Sequence, residues 1–429
     1  MLSLLVVLAG FAVVSVVSWR VERSWIAPST VWPIGWGLYA IATIPYMAEP
    51  LDFVPGTLWI LLNCAVFLVG SALSRGFVFS RVRWSGEPKD RFPYLLAIVS
   101  FLALAGIASL AVAVRSLGFS VVDLFSFQGL ARMSALSRAV FYFGDIEQGG
   151  LARILVVLAY TGPAFGGLYF AITKRLSHRV IGLMPLFAIT LVGMVYGSRM
   201  GVLFGGSFWL AAFLAGRLLD TADRPAAGTR LFFMVGGLSF GLLAGVSTGI
   251  QFIRYFVGNQ KTADLILADP FGFLAAWATW FRDSGRAEDG LAAGFYSFER
   301  IGRMLGFDRP AFPAIDLGFT SSNVYTVFRA LIEDYGAFGS LIVVLAIGFV
   351  GSLAYRAVVA GRSSWLGPLS LVYAFMFVGM ALSLFAYTGP TAGAICFVAY
   401  LLVVGHPRSI VRRMLFTLGQ RQFSGGAPV

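Results

Sequence analysis

The stretch GFTSSNVYTVFRALIEDYGAFGSLIVVLAIGFVGSLAY, residues 318–355, joins a polar segment directly to an apolar run. The apolar run, 335–355, has the length of about twenty residues that a helix needs to cross a bilayer. Just before it stand Arg329, Glu333 and Asp334. Polar groups where a chain enters a bilayer are costly unless they face water, a substrate or one another. The stretch therefore predicts a membrane-spanning helix with a binding function at its start.

Similar apolar runs recur along the chain. Hydrophobic residues make up 58% of the 429 residues and charged residues 12%, which is typical of a polytopic membrane protein and not of a soluble domain. We predict an all-α fold of about eleven transmembrane helices in a single domain over residues 1–429. The predicted helices are 2–19, 29–47, 55–74, 92–114, 151–173, 180–197, 201–216, 231–253, 335–355, 367–387 and 389–405.

Basic residues are concentrated in alternate connections between these runs. Of the 32 basic residues 29 are arginines, and many lie in the connections that hold Arg20, Arg75, Lys174, Arg217 and Arg356 and in the C-terminal tail. We call the side of these connections the arginine-rich end, and the opposite side the arginine-poor end. The positive-inside rule places the arginine-rich end in the cytoplasm, with a periplasmic N-terminus and a cytoplasmic C-terminus. This distribution explains the net charge of +12 without nucleic acid as a partner.

Two connections at the arginine-poor end are long, 115–150 and 254–334. Long connections with apolar content of their own are usually functional. Within the second, 271–281 reads as an interfacial helix carrying a tryptophan belt, and 292–303 as another amphipathic segment. We therefore expect substrate-binding elements in this large loop.

Arginines are unexpectedly frequent at the arginine-poor end. One of them lies in the turn Tyr196-Gly197-Ser198-Arg199-Met200-Gly201, where the glycines permit a tight bend. An arginine fork suits bidentate binding of carboxylate or phosphate. A pyrophosphate-bearing substrate would explain the whole set, and so would anionic lipid headgroups. The set comprises Arg199, Arg254, Arg300, Arg303 and Arg329.

A carboxylate is the available general base at this end, because both histidines, His178 and His406, fall in basic connections. The candidates near the polar segment are Glu299, Asp316, Glu333 and Asp334. The ordinary role of Asp334 would be to cap the helix that follows it or to pair with an arginine. The sequence shows no metal-ligand spacing, Walker A motif or dinucleotide fingerprint, so we expect no metal, nucleotide or other cofactor.

Two motifs resemble those of a known family. The residues Asn323-Val324-Tyr325-Thr326, followed by Arg329 and Asp334-Tyr335-Gly336-Ala337-Phe338-Gly339, resemble the Asn-x-Tyr-Thr … Asp-(Phe/Tyr)-Gly-x-x-Gly signature of Wzy-type oligosaccharide repeat unit polymerases. The Gly197-Ser198-Arg199 turn is similar to a Gly-Ser-Arg-x-Gly turn of that family. The specific motifs span some thirty residues.

This resemblance implies a GT-C-like glycosyltransferase of the bacterial inner membrane that makes O-antigen or exopolysaccharide. Its substrate would be undecaprenyl-diphosphate-linked oligosaccharide, and chain length would depend on a separate partner protein. Arg199 and Arg329 would neutralise the departing diphosphate, with Arg254, Arg300 and Arg303 binding substrate behind them. Asn323, Tyr325, Thr326 and Ser198 would contact the substrate, and Asp334 or Glu333 would be the base.

Three other interpretations are left: a ligase, a transporter or flippase, and a purely structural membrane partner in a polysaccharide assembly complex. An O-antigen ligase shares the helix plan and the lipid-diphosphate donor, but ligases typically carry a functional histidine in the large loop, and 254–334 contains none. A transporter or flippase of lipid-linked sugars would place polar residues at mid-membrane and show inverted repeats. The apolar runs here carry almost no ionisable groups at mid-depth.

Overall fold

The chain folds as a helical membrane protein. A computed structural model describes residues 2–46, 52–82, 92, 94–141, 149–221, 245, 248–249, 252, 271–283, 294–299, 312, 315–317, 321–322, 325–385 and 387–405. Seven helices in these ranges are long and apolar enough to cross a membrane. The predicted all-α, multi-pass class is therefore confirmed.

The helices of the described ranges follow one another as listed here. They are α1 Leu2–Glu22, α2 Pro28–Thr43, α3 Val54–Leu73, α4 Leu95–Ser116, α5 Phe127–Phe141, α6 Gly150–Ile172, α7 Leu176–Val195, α8 Met200–Thr221, α9 Gly272–Asp283, α10 Val327–Val359, α11 Leu366–Val378 and α12 Thr388–Gly405. Short 3-10 helices cover Ile44–Tyr46, Ser74–Gly76, Val121–Phe125 and Ser363–Trp365. Strands β1, Ile315–Asp316, and β2, Ser321–Ser322, pair antiparallel.

Each predicted apolar run that the structure describes contains a helix, although the bounds differ; the run 231–253 lies almost wholly outside the described residues. The seven long spans are α1, α3, α4, α6, α7, α8 and α10, while α11 and α12 are shorter apolar helices. The prediction for 367–387 was too long, because α11 ends at Val378. There the carbonyl of Gly379 accepts a hydrogen bond from the backbone N–H of Val327, 2.9 Å away. The end of α11 is thus tied to the start of α10.

The arginine-rich end is held together by hydrogen bonds between distant helices. Ser71 of α3 donates to Glu22 of α1 over 2.7 Å, and its hydroxyl lies 2.5 Å from that of Ser352 in α10. Arg356 donates to the hydroxyl of Ser74. These contacts align the ends of α1, α3 and α10 as the alternating topology predicts.

Helix α10 is broken at Gly336, whose φ of 71° and ψ of 173° are not helical. This backbone conformation is open almost only to glycine. The break separates a short first segment, 327–335, from the apolar segment 337–359. The polar residues before the apolar run, predicted to end a loop, therefore lie on a helical segment of their own.

A buried aromatic cluster fixes that first segment. Phe328, fully buried, has its ring centroid 5.2 Å from Trp36 of α2, 5.9 Å from Trp277 of α9 and 6.2 Å from Trp32 of α2. Aromatic pairs at such separations are worth about 0.5–1.5 kcal/mol each beyond their burial. Because Phe328 is adjacent to Arg329, the cluster also sets where Arg329 leaves the helix.

Candidate functional site at the start of helix α10

Arg329 is a buried cation enclosed by aromatic rings. Only 4% of its side chain is exposed. Its guanidinium carbon lies 4.0 Å from the ring centroid of Tyr325, 4.1 Å from Phe312 and 4.8 Å from Trp280. Cation–π attraction strengthens when the cation is desolvated, to about 2 kcal/mol. We call these three rings the aromatic cage.

The guanidinium in the aromatic cage is only partly hydrogen-bonded, through the side chain of Tyr325. Its Nε and Nη1 atoms are buried and have no hydrogen-bond partner. The nearest carboxylate oxygen, Oε1 of Glu333, is 3.7 Å from Nε, which is an ion pair without a hydrogen bond. A buried charged donor without an acceptor costs several kcal/mol. Arg329 is therefore a buried cation whose Nε and Nη1 atoms have no hydrogen-bond partner.

Glu333 and Asp334 lie on different faces of the first segment of α10. Glu333 follows Arg329 by four residues, so the two share a face. Asp334 instead accepts hydrogen bonds from the backbone N–H groups of Tyr296, at 2.9 Å, and Ser297, at 2.5 Å. Asp334 therefore anchors the turn 294–298 to α10 and uses both carboxylate oxygens to do so.

An apolar cavity of about 250 Å³ lies on the side of α10 away from Arg329. Val327, Leu331 and Tyr335 line it from the first segment of α10, together with residues of α11 and the turn 294–298. In an α-helix these three positions point opposite to 329 and 333. The first segment therefore has a charged face and a cavity-lining face.

Arg199 is held by the turn between α7 and α8. Gly197 has φ 59°, and its Cα faces Ser134 of α5 so closely that a Cβ would clash. The hydroxyl of Ser198 accepts a hydrogen bond from the N–H of Met200, 3.3 Å away, and so caps α8. The Arg199 guanidinium carbon lies 5.3 Å from the ring centroid of Phe273.

Helix α9 contacts both arginines. Phe273, beside Arg199, and Trp280, beside Arg329, are seven residues apart and therefore lie on the same face, about 10 Å apart along the axis. Trp277 donates from Nε1 to the carbonyl of Gly56, 3.1 Å away, which attaches α9 to α3. The helix thus holds the two arginine sites on one surface.

The predicted helix at 271–281 is confirmed, but the prediction that its tryptophans form a belt at the membrane interface is wrong. Trp277 and Trp280 are 0% and 3% exposed, so they face the protein and not a membrane interface. The apolar character of the segment was visible in the sequence. Its packing direction was not, because a lipid-facing and a protein-facing helix surface can both be rich in tryptophan.

The other predicted binding residues differ in how they relate to the aromatic cage. Tyr325 belongs to the aromatic cage, and burial raises the pKa of its hydroxyl while the nearby Arg329 charge partly offsets the rise. Thr326 is buried at the start of α10, and its hydroxyl has no hydrogen-bond partner. Arg254, Arg300, Arg303 and Asn323 lie outside the described residues. Phe273, Trp280 and Phe312 were not predicted as site residues.

Histidines and metal ligands do not gather near this site in the part of the chain that the structure describes. No three His, Cys, Asp or Glu side chains there are grouped as a metal site would require. His178 lies at the arginine-rich end, with Nδ1 2.5 Å from the hydroxyl of Tyr169.

No family model, no curated protein and no solved structure matches the chain. A proposal for its function therefore depends on the geometry described above and on the motif resemblance. The most informative feature for that purpose is the buried Arg329 guanidinium with its unpaired N–H groups.

Proposed function

We propose that the chain is a membrane glycosyltransferase that polymerises undecaprenyl-diphosphate-linked oligosaccharide repeat units into O-antigen or exopolysaccharide. The observation that carries the proposal is Arg329, whose buried guanidinium has two nitrogen atoms, Nε and Nη1, without hydrogen-bond acceptors beside a carboxylate. A departing diphosphate supplies the acceptors that these donors lack. The same motif residues form the basis of the resemblance to repeat unit polymerases.

In the proposed reaction, the bond between the anomeric carbon of the growing glycan and the diphosphate oxygen breaks. The electron pair leaves with the diphosphate, and Arg329 stabilises the charge that develops there. A hydroxyl of the incoming repeat unit bonds to the anomeric carbon and gives its proton to a base. Arg199, on the same surface of α9, adds a second positive charge for the lipid diphosphate.

Glu333 is the better placed of the two candidate bases. It lies on the face of α10 that carries Arg329, whereas both oxygens of Asp334 are engaged by backbone N–H groups. A carboxylate that is already hydrogen-bonded in this way loses those bonds when it takes up a proton. The proposed roles are therefore base for Glu333 and structural anchor for Asp334.

The finer architecture belongs to the same proposal. The chain would have about eleven transmembrane helices in a GT-C-like arrangement, consistent with seven long apolar helices, two shorter apolar ones, α2 and the run 231–253. The arginine-poor end, with Arg329, would face the periplasm of a bacterial inner membrane. Membrane lipids and a chain-length regulator would be its partners, with no metal or nucleotide.

Reconstitution with a lipid-diphosphate-linked repeat unit, followed by gel separation of the products, tests this function. We expect a ladder of glycans, and about a 100-fold to 1000-fold loss of rate in Arg329→Ala, as for other lost transition-state donors. Arg282→Ala is the matched control, because Arg282 is a partly exposed arginine that pairs with Asp52 and Asp283.

Three results would contradict the proposal in different ways. Full activity in Arg329→Ala would remove the assignment of Arg329 to the diphosphate. Transfer onto lipid A core without a ladder would identify a ligase. Movement of the intact lipid-linked unit across the bilayer, without transfer, would identify a flippase.

A further inference from the structure

We infer that Trp280 is a positioning residue that keeps the Arg329 guanidinium from closing onto Glu333, so that the N–H groups remain available to an anion. The inference rests on the proposed function, since it concerns the same anion site. It goes beyond that function by assigning a role to a residue of α9 that touches neither acceptor nor sugar in the proposed reaction.

The Arg329–Glu333 pair is wider than such pairs usually are. Arginine and carboxylate separated by four residues on a helix can form hydrogen bonds of about 2.7–2.9 Å, often two in parallel. Here the Nε to Oε1 distance is 3.7 Å, although burial would strengthen a closer pair. Something therefore holds the guanidinium away from the carboxylate.

The aromatic cage supplies that restraint, and Trp280 is its fixed member. Tyr325 lies two residues before the start of α10 and would move with it, whereas Trp280 belongs to a different helix. That helix is attached to α3 by the hydrogen bond from Trp277 to Gly56, and Trp280 itself is 3% exposed. The Trp280 ring, 4.8 Å from the guanidinium carbon, should therefore keep its position if α10 moves.

Closure of the pair would weaken anion binding for two reasons. The carboxylate would occupy the Nε and Nη1 donors that are unpaired in the structure. It would also neutralise the local positive charge that attracts the ligand. Removing the Trp280 ring should therefore harm binding through Glu333, and the harm should disappear when Glu333 loses its charge.

Calorimetric titration of the full-length protein in detergent tests this with farnesyl diphosphate and inorganic diphosphate as probes. We expect Trp280→Leu to weaken binding about tenfold, because the Glu333 carboxylate then competes with the probe for the Arg329 N–H groups. Trp280→Phe, which keeps a ring, should bind nearly as the wild type. Trp280→Leu combined with Glu333→Gln should regain the affinity of Glu333→Gln alone.

Trp209→Leu is the matched control, because Trp209 lies in α8 and contacts Phe170 and Phe213, outside both α9 and the aromatic cage. It should lower the thermal midpoint without a comparable loss of affinity. If the double variant binds as weakly as Trp280→Leu, the ring serves only packing and the inference fails.

A ligand-free measurement separates this inference from the proposed function. Once the pair has closed in Trp280→Leu, Glu333→Gln should lower the thermal midpoint more in that background than in the wild type. Equal shifts in both backgrounds would overturn the role of Trp280. Absence of binding of either probe to the wild type would instead count against the diphosphate function, whatever the thermal shifts show.

Discussion

At the residue scale, the two adjacent carboxylates of α10 should behave differently. Asp334→Asn should lower the free energy of unfolding by about 1–3 kcal/mol, because it weakens the hydrogen bonds from the backbone N–H groups of Tyr296 and Ser297. Glu333→Gln should leave stability closer to the wild type and reduce the rate of transfer instead. Chemical unfolding and initial rates on both variants check this prediction, and an inactive but fully stable Asp334→Asn would reverse the two roles.

Tyr325 gives a pH dependence whose sign is set by its raised pKa. A group whose pKa is higher in the folded than in the unfolded state makes its full contribution to folding stability at pH values below its unfolded pKa, which is about 10 for tyrosine. This contribution is lost as pH rises from there through the folded pKa. The thermal midpoint should therefore fall less steeply above about pH 10 in Tyr325→Phe than in the wild type, with matching curves at neutral pH.

Individual residues of the site differed in how far the sequence could predict them. Arg329 and Glu333 stood out because charged residues beside an apolar run need an explanation. Trp280 and Phe312 gave no such signal, since aromatic residues are common throughout this chain. Their contact with Arg329 depends on how separate segments pack, and a local pattern does not contain that information.

At the element scale, the break in α10 should be sensitive to a single methyl group. Gly336→Ala places a Cβ on a backbone with φ 71°, which costs about 1–3 kcal/mol or forces the helix to straighten. Gly206→Ala in α8 is the control, because a Cβ there meets no atom within 4 Å. Thermal unfolding should separate the two variants, and equal midpoints would mean that α10 tolerates another backbone at 336.

Helix α9 should depend on packing more than on its ion pairs. Arg282 hydrogen-bonds to Asp283, which lowers the pKa of that carboxyl, and also pairs with Asp52. The lowered pKa of Asp283 stabilises the folded protein at pH values above the unfolded pKa of about 4, and this contribution is lost only as the pH falls through the folded pKa. The attachment of α9 should therefore not change between about pH 5 and pH 8. Asp52→Asn should cost under about 1 kcal/mol, since both partners are partly exposed. A larger loss in hydrogen exchange protection of α9 would show that the pair matters more.

The elements themselves were largely predictable because long apolar runs leave few alternatives to a membrane helix. Helix α5 was missed inside the predicted connection 115–150, where its mixed composition lacks such a run. The helical start of α10 was missed because its polar residues resemble a loop. There, the burial of Phe328 against other helices outweighs local polarity.

At the scale of the whole molecule, the proposed orientation can be measured directly. In a variant without Cys64 and Cys396, a cysteine at Ser120, at the arginine-poor end, should react with a membrane-impermeant maleimide applied to spheroplasts. A cysteine at Ser80, at the arginine-rich end, should react only after lysis. The opposite pattern would invert the topology that the positive-inside rule assigns.

The break at Gly336 also has a mechanical consequence. A bilayer that thickens or thins makes a spanning helix tilt. Segment 337–359 can absorb that tilt at the glycine, while 327–335 stays wedged between α9 on one side and the turn 294–298 on the other. A tilt of segment 337–359 should therefore not displace the first segment of α10. The proposed transfer reaction should then proceed at the same rate in membranes of different acyl-chain length.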